Sequence, residues 1–381
     1  MTTAWRLDPE ALPPLVDHHC HGLIPAEEPM TEEALARRLT ESDTPPAPGT
    51  THLDSQLGFA VRRWCAPLLG LEPHAAIGDY LARRTELGGA EAERRLLGAT
   101  GIGAFLVDTG FRPAGPALGG PSPEGTVRRE VVRLETLAEE VVAASGAHDF
   151  ADRFEAAVEA AVEGGAVAFK SIMAYRHGFR LHRTGRPGRR EVRRAADHAL
   201  MVARLAERPV RINDPVLHRF LLWTAADSGL PIQIHTGFGD PDLRLAETDP
   251  ALLTELLREL ASTGCEVVLL HGYPFHRSAA YLAAVLPHVY ADVGLTLHHV
   301  GARAAAVLAE YLELAPFGKL LFSTDAAGVP ELYAVAALTY REALATVLAG
   351  FVADGAWAPP DAERVARLVS TENALRVYGM A

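Results

Sequence analysis

Short apolar runs recur along this chain, and five of them end on side chains able to bind a metal ion. Leu15-Val16-Asp17 leads into His19-Cys20-His21, Val167-Ala168-Phe169 into Lys170, and Pro231-Ile232-Gln233-Ile234 into His235. Glu266-Val267-Val268-Leu269-Leu270 ends on His271, and Leu320-Leu321-Phe322-Ser323-Thr324 on Asp325. Such near-continuous runs predict strands of a parallel sheet covered on both faces. Residues 101–108, 131–135 and 289–293 supply strands two, three and seven, making eight. Helical patterns fill the intervals at 154–163, 197–207, 215–228, 251–263, 278–286, 302–314 and 331–349. Regular alternation from about residue 100 onward predicts an α/β fold, a (β/α)8 TIM barrel, whose reactive residues gather at the carboxyl ends of the strands. On strand one, alternation points His19 and His21 the same way, together with Asp17, while His18 and Cys20 face oppositely.

The 381 residues fit one enlarged barrel, a single domain over 1–381, better than several small ones. Residues 24–100 are too long for a βα connection and carry helical patterns at 32–39, 53–69 and 77–97. They are expected to form a helical insertion after strand one, either a cover over the catalytic mouth or a peripheral bundle. A second insertion follows strand four, where 176–194 holds arginines at 176, 180, 183, 186, 189, 190, 193 and 194. Most should face water. Arg176, six residues beyond Lys170, is the candidate for binding a carboxylate or phosphate on a substrate. The stretch 361–378 reads as a final amphipathic helix, interrupted near Thr371-Glu372-Asn373.

A formal charge of −12 argues against nucleic acid or an anionic membrane as the main partner. No cationic, apolar leader opens the chain, and no run reaches the roughly 20 apolar residues needed to cross a bilayer, so a cytoplasmic protein is expected. Cys20, Cys65 and Cys265 show no paired spacing and are expected to be reduced and buried. Of the 36 basic residues, only Lys170 and Lys319 are lysine. Arginine cannot lose its proton in a protein, whereas a buried lysine amine can, and the neutral amine can react with carbon dioxide to give an anionic carbamate ligand. Lys319, beside Pro316 and Gly318, is expected to be solvated.

With His-x-His on strand one, lysine on strand four, histidines on strands five and six and aspartate on strand eight, the chain resembles the amidohydrolase superfamily of metal-dependent barrels. Phe169-Lys170-Ser171-Ile172-Met173-Ala174-Tyr175-Arg176, His235-Thr236-Gly237-Phe238-Gly239-Asp240 and Leu270-His271-Gly272-Tyr273-Pro274 are similar to the amidohydrolase 2-like branch found alone or fused to glutamine synthetase. The resemblance covers roughly residues 14–30 and 100–380. It implies two possible ligand arrangements. In one, His19, His21 and Asp325 hold one ion, His235 and His271 a second, and a carboxylated Lys170 bridges both with a hydroxide. In the other, His19, His21, His235 and Asp325 hold a single ion and His271 acts on the substrate. Retention of Lys170 favours two ions, with zinc the expected metal and manganese or iron alternatives.

On this resemblance the expected activity is hydrolysis of an amide-type C–N bond of a small molecule by a metal-activated hydroxide, with Asp325 as acid/base. A one-ion decarboxylase or hydratase, an isomerase of uronate type and a non-catalytic binding barrel are the alternatives. Arg176, Tyr175 and Asp240 are the substrate-binding candidates, and Gln233, His276 and Glu331 further pocket candidates. Arg133 and Glu135 are expected to form a buried ion pair, and Asp292 to orient a ligand histidine. His18 is a core or supporting residue, and at most one of His298 and His299 should reach the site. A homo-oligomer is compatible with the sequence, which specifies no interface.

Overall fold

The computed structural model describes residues 5–8, 12–24, 29–111 and 125–380. Residues 25–28 of the expected insertion, and 1–4, 9–11, 112–124 and 381 of the expected single domain, lie outside the described residues. Among those described, eight parallel strands pair in chain order. They are β1 (Leu15–Cys20), β2 (Ile102–Asp108), β3 (Val127–Arg133), β4 (Ala168–Ser171), β5 (Ile232–Thr236), β6 (Val267–His271), β7 (Val289–Asp292) and β8 (Leu320–Leu321). The barrel closes where β1 meets the chain after β8: His18 N–H donates to Phe322 O (3.3 Å), Asp325 N–H to His19 O and His21 N–H to Ala326 O (both 2.9 Å). The expected (β/α)8 barrel is the observed fold.

Four helices follow β1: α1 (Glu32–Arg38), α2 (Gln56–Leu68), α3 (Ile77–Leu87) and α4 (Gly89–Gly98). The sequence marks their starts chemically. Thr31 caps α1 by accepting from Ala34 N–H, with Glu32 and Glu33 in the first turn and Arg37 and Arg38 in the last, and Ser55 caps α2 through Gly58 N–H. The third expected helix is two, because Gly88 takes a left-handed φ of 80° between α3 and α4. Next come α5 (Leu134–Glu163) before β4, α6 (Arg189–Leu205) and α7 (Pro215–Asp227) before β5, α8 (Thr254–Leu260) before β6 and α9 (His276–Val285) before β7. Then α10 (Thr296–Val300) and α11 (Ala304–Tyr311) precede β8, and α12 (Pro330–Ala353), α13 (Pro359–Arg367) and α14 (Asn373–Val377) complete the chain. A π-helical turn, Leu368–Glu372, separates the last two where the interruption was expected.

Three expectations are corrected. Strand three runs over Val127–Arg133 rather than 131–135, because its first half, Val127-Arg128-Arg129-Glu130, is polar and at the barrel surface, and helix begins at Leu134. Lys319 is half-buried rather than freely solvated: its Nζ donates to Ala283 O (2.8 Å) and Leu286 O (2.6 Å), capping the end of α9. Helix α12 is 24 residues long with a mean hydropathy of 1.4 over its most apolar window, enough in length and composition to cross a membrane, yet it is largely a core helix against α2, α4 and α11. A helix apolar nearly all round suits burial inside a large protein.

Two apolar layers hold the barrel. Outside, a continuous core joins strands, surrounding helices and the insertion. Inside, Val16, Ala104, Leu106, Val131, Ala168, Val268, Leu270 and Leu321 fill the lumen, and Ala374, Val377 and Tyr378 from the C-terminal turn plug it. Phe322 is 1% exposed and packs on Tyr340 with ring centroids 4.4 Å apart. Phe322→Ala is expected to lower unfolding stability by about 3–5 kcal/mol, measured by urea denaturation with a metal-free sample as reference.

Candidate metal centre

Barrel closure brings the first and last strands' polar ends together. His19 Nε2 lies 3.0 Å and His21 Nε2 3.1 Å from the same oxygen, Asp325 Oδ1. The three ligand atoms lie within 4.8 Å of one another, so His-x-His and Asp325 form one cluster as expected. His271 Nε2 is 3.4 Å from the other oxygen, Asp325 Oδ2, and both His271 ring nitrogens are buried without a hydrogen-bond partner. Lys170 Nζ contacts His19 Nε2 at 3.1 Å. The His235 ring packs on His271 at 4.7 Å, but its Nε2 is engaged with Phe238 O at 3.1 Å. All six expected ligand residues therefore line one region, while three converge in a single cluster.

A hydrogen-bond chain fixes the orientation of His19. Gln233 Nε2 donates to His18 O (2.7 Å) and to the Tyr378 hydroxyl (2.9 Å), which leaves Gln233 Oε1 to accept from His19 Nδ1 (2.8 Å). His19 Nε2 then presents a lone pair toward a carboxylate oxygen. Acceptors converging in a buried place are stabilised by a cation between them, and two imidazoles with one carboxylate suit a divalent ion of the zinc, manganese or iron type. Gln233 thus holds the His19 ring rather than lining the pocket. His18 joins the same chain, bonded to Tyr378 Oη (2.9 Å) and Asp292 Oδ1 (3.1 Å). Strict alternation fails there because the β1–β2 register slips between Asp17 and Cys20, an extra residue that turns adjacent His18 and His19 both into the interior network.

Asp292 has the expected supporting role. Its Oδ2 accepts from His271 N–H at 3.1 Å and lies 3.5 Å from His271 Nδ1. Burial would raise the Asp292 carboxyl, yet His18 and His271 hold it below the carboxylate range, and the anion favours an Nδ1 proton on His271 that leaves Nε2 for a ligand. Asp17 does not join the cluster. It accepts from Thr324 N–H (2.8 Å) and Oγ1 (2.5 Å), and burial pushes its carboxyl up to about 8. His271 (φ 68°) and Asp325 (φ 50°) both sit in the left-handed region, a strained backbone at two of the expected ligands.

A model of the amidohydrolase family matches residues 86–380. The chain belongs to the amidohydrolase family. Membership supports an enzyme on a metal-dependent hydrolase fold. It is 33% identical over 272 residues to protein fluG of Emericella nidulans, a match over 68% of this chain but 30% of that protein. The structure is similar to that of a candidate metal-dependent hydrolase from Lactobacillus casei ATCC 334, with 28% identity and a TM-score of 0.83 over 97% of this chain and 96% of that one. It also shares its fold with a uronate isomerase from Thermotoga maritima, with 15% identity and a TM-score of 0.65 over 97% and 95% of the two chains. His19 and His21 precede the stretch matched by the family model and reach this amidohydrolase's centre only through barrel closure.

A cavity of about 340 Å³ opens above the cluster and is lined by His21, Lys170, His235 and Asp325 together with the three expected substrate-side residues, Tyr175, Arg176 and Asp240. Tyr175 packs on His235 with ring centroids 4.5 Å apart. Burial pulls Lys170 down to about 8, with Asp325 and Asp108 opposing, and lowers His19 to about 3 with help from Lys170. Burial alone would raise Asp325, but His271, His19 and His21 hold it well below its ordinary range. His298 and His299 both line the cavity, contrary to the expectation of one, because they lie on the short helix α10 and not on a strand.

Arg133 pairs with Asp108 Oδ2 at 2.6 Å, not with Glu135. Glu135 starts α5 and instead accepts from Ser171 Oγ (2.7 Å) and Ile172 N–H (2.9 Å). The insertion divides its roles: Arg37, Arg38, Thr40 and Glu41, at and beyond the end of α1, line the cavity, while α2 and α4 pack on α12. Sequence reasoning missed Arg37, Arg38, Glu41, Phe111 and Arg211, whose local sequence carries no strand-end signal. His276 pairs with Glu310 at 2.6 Å and Glu331 with Arg84 at 2.8 Å, which commits both to structure. Gln233→Leu is expected to weaken divalent-ion binding about 10- to 100-fold in a chelator competition, by freeing the His19 ring; unchanged affinity would reduce Gln233 to packing.

Proposed function

We propose that this amidohydrolase cleaves an amide-type C–N bond of a small molecule with the help of bound divalent metal, zinc being the first choice. The observation that carries the reading is the convergence of His19 Nε2, His21 Nε2 and Asp325 Oδ1 at the floor of a substrate-sized cavity. A divalent ion at that place would acidify water and polarise a carbonyl. The chain's own contribution is proton handling and enclosure. Asp325 lines the cavity; its Oδ1 belongs to the ligand cluster, and Oδ2, 3.4 Å from His271 Nε2, is the oxygen left to take a proton from water and return it to the leaving amine.

Lys170 supports a two-ion arrangement. Its amine, pulled down to about 8 by burial, would be the group to form a carbamate ligand, and His235 and His271, whose rings pack on each other, would hold the second ion. A one-ion arrangement has its own support, because among the described residues one three-ligand cluster, His19, His21 and Asp325, converges, and these are three of the four ligands that arrangement needs. With one ion, Lys170 would instead face substrate, and a lyase reaction on a small carboxylic acid becomes the better reading. Arg176, Tyr175 and Asp240 are proposed to contact the substrate.

Metal content per chain, measured by plasma mass spectrometry on protein grown with zinc or manganese and no chelator, separates the arrangements. About two ions with release of amine or ammonia from an amide panel is the expected result; one ion with no C–N cleavage but loss of carbon dioxide from a carboxylic-acid panel would replace hydrolysis by lyase chemistry. Asp325→Asn is expected to lower kcat by roughly 10²- to 10⁴-fold, beyond any loss of metal corrected for in the same samples.

A further inference from the structure

Arg176 is a cavity cation whose charge the protein compensates poorly. Arg133 donates twice to Asp108 Oδ2, at 3.0 and 2.6 Å, and Arg211 donates to Asp242 at 2.8 Å. Arg176 has a 3.3 Å bond from Nη2 to Glu139 Oε1, and that oxygen already accepts from Ile212 N–H at 2.9 Å. Burial raises the Glu139 carboxyl, which weakens it as a counter-charge. The Arg176 side chain is only 9% exposed, and its Nε is buried without an acceptor. A guanidinium held out of water with so few acceptors is costly until an anion completes its fork.

Its position suits a ligand. The short 3-10 turn Met173–Tyr175 carries the chain from Lys170, at the metal end, to Arg176 on the wall of the same cavity. The opposite signs present there limit the anion. Glu41, Asp240, Asp242 and Asp325 line the cavity together with Arg37, Arg38, Arg133, Lys170 and Arg211, so the charges there are mixed; Arg133 and Arg211 already have carboxylate partners, and the one incomplete fork of Arg176 matches a single carboxylate. We propose that Arg176 seats a carboxylate of the substrate, so that the enzyme acts on molecules carrying a free carboxylate beside the scissile C–N group. The proposal rests on the hydrolase reading for what reacts at the metal end and on the cavity alone for the carboxylate.

The test compares succinamate, which has one carboxylate and one amide, with succinamide, which has no carboxylate, by calorimetry on the metal-bearing protein, with ammonia release followed on the same samples. Succinamate is expected to bind roughly 10-fold tighter or more. Arg176→Met should erase the preference and Arg176→Lys keep part of it. Arg186→Met, which alters an exposed pair with Asp227, should leave it intact. Equal affinities, no binding of succinamate, or a preference that survives Arg176→Met would overturn the proposal. Displacement of succinamate by inorganic phosphate through Arg176 would overturn the restriction to carboxylates. Tight, Arg176-dependent binding without ammonia release would uphold the carboxylate site while counting against the hydrolase reading, so the two can fail separately.

Discussion

The hydrogen bond from Asp325 N–H to His19 O, 2.9 Å long, is the seam on which the centre depends. It joins the first strand to the chain leaving the last, and it sets Asp325 Oδ1 against His19 and His21 although 304 residues separate His21 from Asp325. Asp17 reinforces the seam by binding both the amide and the hydroxyl of Thr324. An open sheet with the same strands would leave the two halves of the ligand set on opposite edges. Closure therefore makes the site as well as removing the sheet's exposed edges.

Around that seam the protein spends buried polar groups on orientation. Tyr378, from the C-terminal turn that plugs the lumen, bonds His18 and Gln233, and Gln233 in turn holds His19. Asp292 holds His271 from the other side, while Tyr311 and Tyr333 donate to the backbone carbonyls of His271 and His21. Ligands whose partners are fixed in this way lose little freedom when an ion arrives, and their lone pairs already converge. The left-handed backbone at His271 and Asp325 belongs to the same arrangement, since this network outweighs the local cost.

Much of this was legible in the sequence because the fold's demands are periodic. Strands buried on both faces must be apolar over their whole length, so β4, β5, β6 and β8 announced themselves, together with the polar residue that ends each. Strand β3 did not, because Arg128, Arg129 and Glu130 lie on its accessible first half and mimic a loop. The partner of Arg133 was misjudged for a related reason: once helix begins at Leu134, Glu135 turns toward Ser171, and Asp108 from the neighbouring strand becomes the available anion. Lys319 looked like a loop residue, but two carbonyls at the end of α9 draw its amine in.

The sequence by itself determined the barrel, the six residues around its centre and the singular status of Lys170, because each is written in strand period, strand ending or composition. Tertiary structure alone decided which of the six converge, how the bulge in β1 recruits His18, and that Glu41 and Arg211 reach the cavity from segments with no chemical signature. It also left Arg176 with a single long bond while Arg133 and Arg211, on the same cavity, are well paired. Those features depend on distances between strands and loops far apart in the chain, and side-chain pattern along one strand carries no record of what faces it.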